Sequence, residues 1–277
     1  MICTILTVIL AAATAAAEPL GACAHRGDVK NFPENTLPAF TSAVAKGAHM
    51  IEFDVLLSKD GVAVIMHDNT VDRTTDGTGN VVDLTFEDLR ELDTGSWFDP
   101  KFAGTRIPTL QETLEVIPEY ILCNVHLKNA PGVAAEAAKV IKEMGRLAQC
   151  FLACSLAQAE EARAVVPEIM ICNMSVRRGG LAEYVDATYE AGAEFLQVHH
   201  RADDNLAAEV RRAQELGITV NYFHATEASE VHRVADAGAN YLLTDDLDTC
   251  LDILEGEYRV PRARKPVEDE EDDDEET

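Results

Sequence analysis

The chain has 277 residues, 47% of them hydrophobic, and a formal net charge of −26. That apolar content can bury a full core and suits one large α/β domain or two small ones, while the low aromatic content (6%) leaves the core to Ala, Val, Leu and Ile. So acidic a chain repels nucleic acid and anionic lipid, and neither is expected as a partner.

In chain order, residues 1–17 come first. They are almost wholly apolar and end in Ala15-Ala16-Ala17 before Glu18-Pro19. This pattern reads as a signal peptide with a small-residue cleavage site, shorter than the ~20 residues a spanning helix needs, although no Lys or Arg precedes it. The expectation is an exported protein, periplasmic or extracellular, with no membrane span in the mature chain. An N-terminal hydrophobic helix or an uncleaved anchor is the alternative.

From residue 20 onward, eight short apolar runs follow: residues 21–25, 50–54, 121–127, 150–155, 169–174, 195–199, 218–223 and 240–244. They lack clear polar alternation, as parallel strands buried on both faces should. Helical patterns lie between them at 36–46, 109–117, 133–144, 158–166, 181–191, 203–216 and 226–237. Several end in a glycine (Gly47, Gly145, Gly192, Gly217, Gly238), the usual residue just past a helix. Eight strand–helix units over residues 18–258 predict an α/β fold of the TIM (β/α)8 barrel type.

A ninth run, residues 62–67, follows the second strand after only Ser58-Lys59-Asp60-Gly61. That gap is too short for a parallel crossover, and Asp-Gly is a hairpin signal, so residues 55–67 are read as an antiparallel hairpin. Residues 69–106, which hold the only tryptophan, Trp97, form a small insertion at the barrel mouth. Residues 259–277 are read as an acidic disordered tail, with nine consecutive acids from Glu268 to Glu276. The seven cysteines show no CxxC spacing, and most lie in apolar runs, where Cys behaves as a small buried hydrophobe.

Active sites of such barrels lie at the C-terminal ends of the strands, so polar residues ending apolar strands are the candidates. The first strand ends in His25-Arg26, the second carries Glu52 and Asp54, the hairpin returns with His67, and the third ends in His126-Leu127-Lys128. Glu52 and Asp54 lie two apart on one face of a strand, where two carboxylates repel unless a cation holds them. Oxygen ligands suit a hard divalent ion. His25 and His67 titrate in the range useful for moving protons, while Arg26 and Lys128 offer positive charge to a phosphate.

These residues carry a resemblance. Ala24-His25-Arg26-Gly27, Pro33-Glu34-Asn35-Thr36, Glu52-Phe53-Asp54-Val55, Ser58-Lys59-Asp60-Gly61 and His67-Asp68 stand in the order and spacing of the glycerophosphodiester phosphodiesterase family. The likeness continues through Arg73-Thr74-Thr75, Gly95-Ser96-Trp97 and Ile107-Pro108-Thr109-Leu110, ending near Thr244-Asp245. It implies a TIM barrel that hydrolyses glycerophosphodiesters to an alcohol and glycerol 3-phosphate with a divalent ion. It further implies His25 and His67 as the acid–base pair, Glu52 and Asp54 as metal ligands, and Arg26 at the phosphate. The third strand departs from the family, which reads Glu-x-Lys there and completes the metal site with that Glu. His126 in its place is expected to ligate, and the softer, neutral donor shifts preference from Mg2+ or Ca2+ toward Mn2+ or Zn2+. A lysophospholipase D-like activity on the same barrel, or a phosphodiester-binding protein without turnover, are the alternatives.

Overall fold

A computed structural model describes residues 20–175, 180–199 and 205–265 of the chain. The signal-peptide segment, the acidic run from residue 266 and the first residues expected in the helix at 203–216 lie outside the described residues.

The elements run in chain order as β1 (Gly21–His25), α1 (Leu37–Lys46), β2 (Met50–Leu57), β3 (Ala63–Ile65), α2 (Phe86–Glu91), α3 (Leu110–Val116), β4 (Leu122–Leu127), α4 (Val133–Glu143), β5 (Cys150–Cys154), α5 (Leu156–Val165), β6 (Met170–Asn173), α6 (Gly180–Glu190), β7 (Phe195–His199), α7 (Leu206–Glu215), β8 (Thr219–Phe223), α8 (Ala228–Asp236), β9 (Tyr241–Thr244) and α9 (Leu247–Glu257). All strands but β3 are parallel to their neighbours, and β1 pairs with both β2 and β9, closing an eight-stranded barrel. The hairpin expected at 55–67 is present: β3 pairs antiparallel with β2, Val55 opposite Ile65.

Strand alternation divides the core in two. On β2, Ile51, Phe53 and Val55 join the shell between sheet and helices, where Phe53 meets Phe40 of α1 at 5.6 Å. Met50 instead joins Cys23, Phe151, Cys172, Phe195 and Leu243 in a second cluster that fills the barrel interior, with Phe151 and Phe195 stacked at 4.0 Å. All six described cysteines are buried free thiols.

Helix starts follow local chemistry. Thr36 caps α1 by accepting from Ala39 N. Ser155 and Gln158 form a capping box that starts α5 two residues earlier than the apolar period indicated. Two helices escaped the sequence reading: α2, a six-residue helix inside the insertion, and α9, which completes the last unit. Residues 259–265, expected to begin a disordered tail, pack back on the barrel. His49 Nε2 meets Pro261 O at 2.9 Å, and Ala263 N donates to Gly47 O at 3.0 Å. The ordered domain therefore runs past residue 258. The insertion reaches the loop after β1 through Arg73, paired with Glu34 at 2.8 Å, and through Phe102, 5.3 Å from Phe32.

Candidate active site

Glu52 and Asp54 point into the upper barrel from β2, with only 2% and 0% of their surface exposed. Buried carboxylates need partners, and these come from three directions. The loop after β1 turns back through Arg26, whose φ of +54° is unusual for a residue other than glycine, and its backbone N donates to Glu52 Oε2 at 3.0 Å. Gly27 follows at φ +86°, so close to α1 that a Cβ would lie 2.8 Å from Ala39. Asn35 clamps Asp54 with both ends of its amide: Nδ2 donates to Oδ2 at 2.8 Å, and Oδ1 accepts from Asp54 N at 3.3 Å.

From β4, His126 Nδ1 stands 3.4 Å from Glu52 Oε1 and 3.1 Å from Asp54 Oδ1, and Lys128 Nζ lies 2.7 Å from the same Asp54 oxygen. Burial alone would raise the Asp54 pKa, but the His126 contact and the Lys128 charge outweigh it and hold the carboxyl well below its usual range. Burial likewise works to lower the pKa of His126, yet the contacts to Asp54 and Glu52 raise it to about 9. Without a metal, then, a proton sits between imidazole and carboxylates.

This arrangement fits a divalent ion. Ligand atoms of Glu52, Asp54 and His126 all lie within 4.8 Å of one another. Asp54 Oδ1 is buried, and its charge is balanced here by Lys128 Nζ at 2.7 Å and His126 Nδ1 at 3.1 Å. Two carboxylates and an imidazole converging in one buried spot are a donor set whose charge a bound divalent ion would balance in their place.

His25 and His67 line the same recess as Glu52, Asp54 and His126, together with Gln197, His199 and Phe223. His25 Nε2 lies 3.9 Å from Glu52 Oε2, and its Nδ1 lies 2.6 Å from Asp245 Oδ1. Burial would raise the pKa of Asp245, but hydrogen bonds from His224 and His25 hold it well below the ordinary value. An ionised carboxylate only accepts, so His25 Nδ1 carries a proton and the ring's proton-exchanging nitrogen is Nε2, on the Glu52 side. His67 repeats the pattern. Its Nδ1 lies 2.5 Å from Asp68 Oδ1, and Asp68 is held to a pKa of about 2, chiefly by its hydrogen bond from Arg73.

The structure brings together every residue singled out from the sequence, with one change of emphasis. Arg26 pairs with Glu34 at 2.9 Å and reaches Asp54 at 3.3 Å, and Lys128 faces Asp54. Both cations expected at a phosphate thus first balance the buried carboxylates. Asn35, Asp68, Arg73 and Asp245 stood in the motifs read from the sequence but were given no role in the site, and His224 was not singled out at all. Asp245 and His224 carried the same signal as His25, a polar residue ending an apolar strand.

The description "Glycerophosphoryl diester phosphodiesterase family" belongs to the family model that matches residues 25–249. Among curated relatives, a glycerophosphodiester phosphodiesterase of Caldanaerobacter subterraneus subsp. tengcongensis is 35% identical over 238 residues, covering 83% of this chain and 96% of its own. One from Bacillus subtilis is 26% identical over 84% of this chain and 86% of its own. Among solved structures, an Oleispira antarctica phosphodiesterase in complex with the product sn-glycerol-3-phosphate superimposes with a TM-score of 0.74 at 26% identity, covering 85% of this chain and 96% of that one. The chain belongs to the glycerophosphoryl diester phosphodiesterase family.

Proposed function

We propose that this enzyme hydrolyses glycerophosphodiesters to an alcohol and glycerol 3-phosphate, with His25 and His67 as the acid–base pair beside a divalent ion held by Glu52, Asp54 and His126. The observation that carries the reading is the paired orientation of the two histidines. Each gives Nδ1 to a carboxylate, Asp245 or Asp68, and so keeps Nε2 for chemistry in one recess shared with the metal-ligand set.

Phosphodiester cleavage needs one group to take a proton from the attacking hydroxyl and another to protonate the leaving alkoxide oxygen. Two imidazoles whose Nε2 atoms are unclaimed by their carboxylates supply both roles, one entering neutral and the other protonated. The attacking hydroxyl is water, which gives glycerol 3-phosphate directly, or the substrate's own glycerol 2-hydroxyl. The latter expels the alcohol and leaves a cyclic phosphate that water then opens to glycerol 3-phosphate, the two imidazoles exchanging their proton roles in the second step. When bound, the ion screens the phosphate charge and polarises its oxygens. Arg26 and Lys128, which pair with Asp54 in the metal-free site, would be free to turn their charge toward phosphate oxygens once Asp54 served as a metal ligand. Mg2+ and Ca2+ follow from the family resemblance. The imidazole of His126 lowers the ligand charge and favours Mn2+ or Zn2+.

Among the described residues no helix is long and apolar enough to cross a membrane. The apolar segment at residues 1–17 supports export, which sequencing the N-terminus of the mature protein would test.

The test of function is metal-titrated hydrolysis. Purified enzyme, freed of metal and reloaded with Mg2+, Ca2+, Mn2+ or Zn2+, is given glycerophosphocholine, glycerophosphoethanolamine and glycerophosphoglycerol. Release of glycerol 3-phosphate from at least one, abolished by chelation and restored by metal, is the expected result. Turnover of none, or turnover indifferent to chelation, contradicts it.

A further inference from the structure

Asp245 has two oxygens, and the site as described uses one. Its Oδ1 meets His25 Nδ1 at 2.6 Å, while Oδ2 meets His224 Nε2 at 2.7 Å. Thr226 closes the group: its Oγ1 lies 2.9 Å from His224 Nε2 and accepts from Asp245 N at 3.2 Å. His224 lies behind Asp245 as seen from the recess, in an outer groove it shares with Thr226 and Arg233. Phe223 packs against both imidazoles, 5.4 Å from His25 and 5.1 Å from His224.

The other histidine is built the same way. Asp68 gives Oδ1 to His67 and Oδ2 to Arg73 Nε at 2.6 Å, and Arg73 is itself anchored by Glu34 at 2.9 and 2.8 Å. Each imidazole thus rests on an aspartate whose far oxygen is fixed by a further nitrogen donor. On the His67 side that donor is a guanidinium. On the His25 side it is an imidazole. The Asp245 side chain is 42% exposed. Without His224, its far oxygen would face solvent and the carboxylate could rotate away from His25.

We propose that His224 is a positioning residue of the hydrolysis: it fixes the Asp245 carboxylate, with Thr226, in the orientation that presents His25 Nε2 to the substrate. The role rests on the reading of His25 as half of the acid–base pair. His224 does not itself line the recess and meets it only through His25, 6.0 Å away ring to ring, and Phe223, so its removal affects the chemical step rather than substrate binding.

The test compares His224→Leu, His224→Gln and His224→Asn in the metal-loaded full chain, on whichever glycerophosphodiester the wild type turns over. Leu removes the donor. Gln places an amide nitrogen where Nε2 stood, and Asn is too short to reach. The expected result is a fall in kcat of about tenfold for Leu and Asn, the loss of one charge-assisted hydrogen bond. KM should stay within about twofold, and Gln should recover most of the rate. Melting temperatures check that each variant is folded, and the Gln–Asn contrast decides the matter if Leu is not. Wild-type kcat in Leu and Asn, equal impairment of Gln and Asn, or an effect confined to KM would overturn the proposal. A wild type inactive on every substrate overturns the functional reading itself, and His224's role falls with it.

Discussion

Asn35 is the residue that makes a fully buried Asp54 tolerable, because it satisfies one carboxylate oxygen and the backbone N–H of the same residue. Asn35 lies at φ +58°, which glycine adopts freely, so Asn35→Gly removes the clamp without adding backbone strain and strands both groups. The expected destabilisation is about 1–3 kcal/mol, read as a lower melting temperature of the metal-free protein together with weaker metal binding. An unchanged melting curve would mean that water replaces the clamp.

His126 is the residue at which this chain departs from the pattern it otherwise follows. His126→Glu restores a third carboxylate, and the ratio of Mg2+-supported to Mn2+-supported rate should rise by about tenfold. If neither rate nor preference moves, His126 is not a ligand.

The His224–Asp245 pair also gives a pH signature. Its hydrogen bond to Asp245 raises the His224 pKa above the ordinary 6.5, and that of Asp245 is depressed below 3.8. The His224 contribution to stability is full below about pH 6.5 and is lost as pH rises through its higher folded value. The Asp245 contribution is full above about pH 4 and is lost as pH falls through its lower folded value. The melting-temperature gap between wild type and His224→Leu should therefore be widest between about pH 4 and 6.5 and narrow above it. A gap that widens with rising pH would contradict this pairing.

At the scale of elements, the hairpin was legible because Asp60-Gly61 leaves too few residues for a crossover, and the barrel strands because they are apolar on both faces. Helix α2 was not legible: six residues are too few to show a helical period, and its capping box Thr85–Asp88 is the only local mark. The architecture of the insertion was hidden for a related reason, since it is held by turns rather than by an apolar stripe. Asp93 organises it by accepting from the backbone nitrogens of Gly95, Ser96 and Gly104 at 2.8, 2.9 and 2.7 Å. Gly95 lies so close to the returning chain that a Cβ would come within 2.0 Å of Phe102 O. Gly95→Ala should therefore force the turn open and destabilise the protein by about 1–3 kcal/mol. Faster proteolysis within residues 93–105 than in wild type would locate the damage, and wild-type resistance there would show that the turn absorbs the methyl group.

For the molecule as a whole, closure of the barrel decides what the chain order conceals. His25 and Asp245 are 220 positions apart, and only the pairing of β1 with β9 makes them neighbours. The strand-end rule found His25, Glu52, Asp54, His67 and His126 because they sit in short motifs. It passed over Asp245 and His224 because nothing local says which late strand lies beside the first. Residues 259–265 strap from α9 across the end of α1 and the turn into β2. Truncation after Tyr258 removes the Pro261–His49 and Ala263–Gly47 hydrogen bonds. At about 1 kcal/mol each, their loss should lower the melting temperature by several degrees. An unaltered melting temperature would show the strap to be passive.

The central claim is that two histidines facing one metal-ligand set cleave glycerophosphodiesters. It is tested most directly by the rate of glycerol 3-phosphate release from the metal-loaded wild type and its His67→Asn variant, followed side by side by phosphorus NMR. The expected result is metal-dependent product from the wild type. The variant should release it at least about 100-fold more slowly while binding metal as tightly. Equal rates in the two proteins, or a final phosphorus product other than glycerol 3-phosphate, would contradict the account.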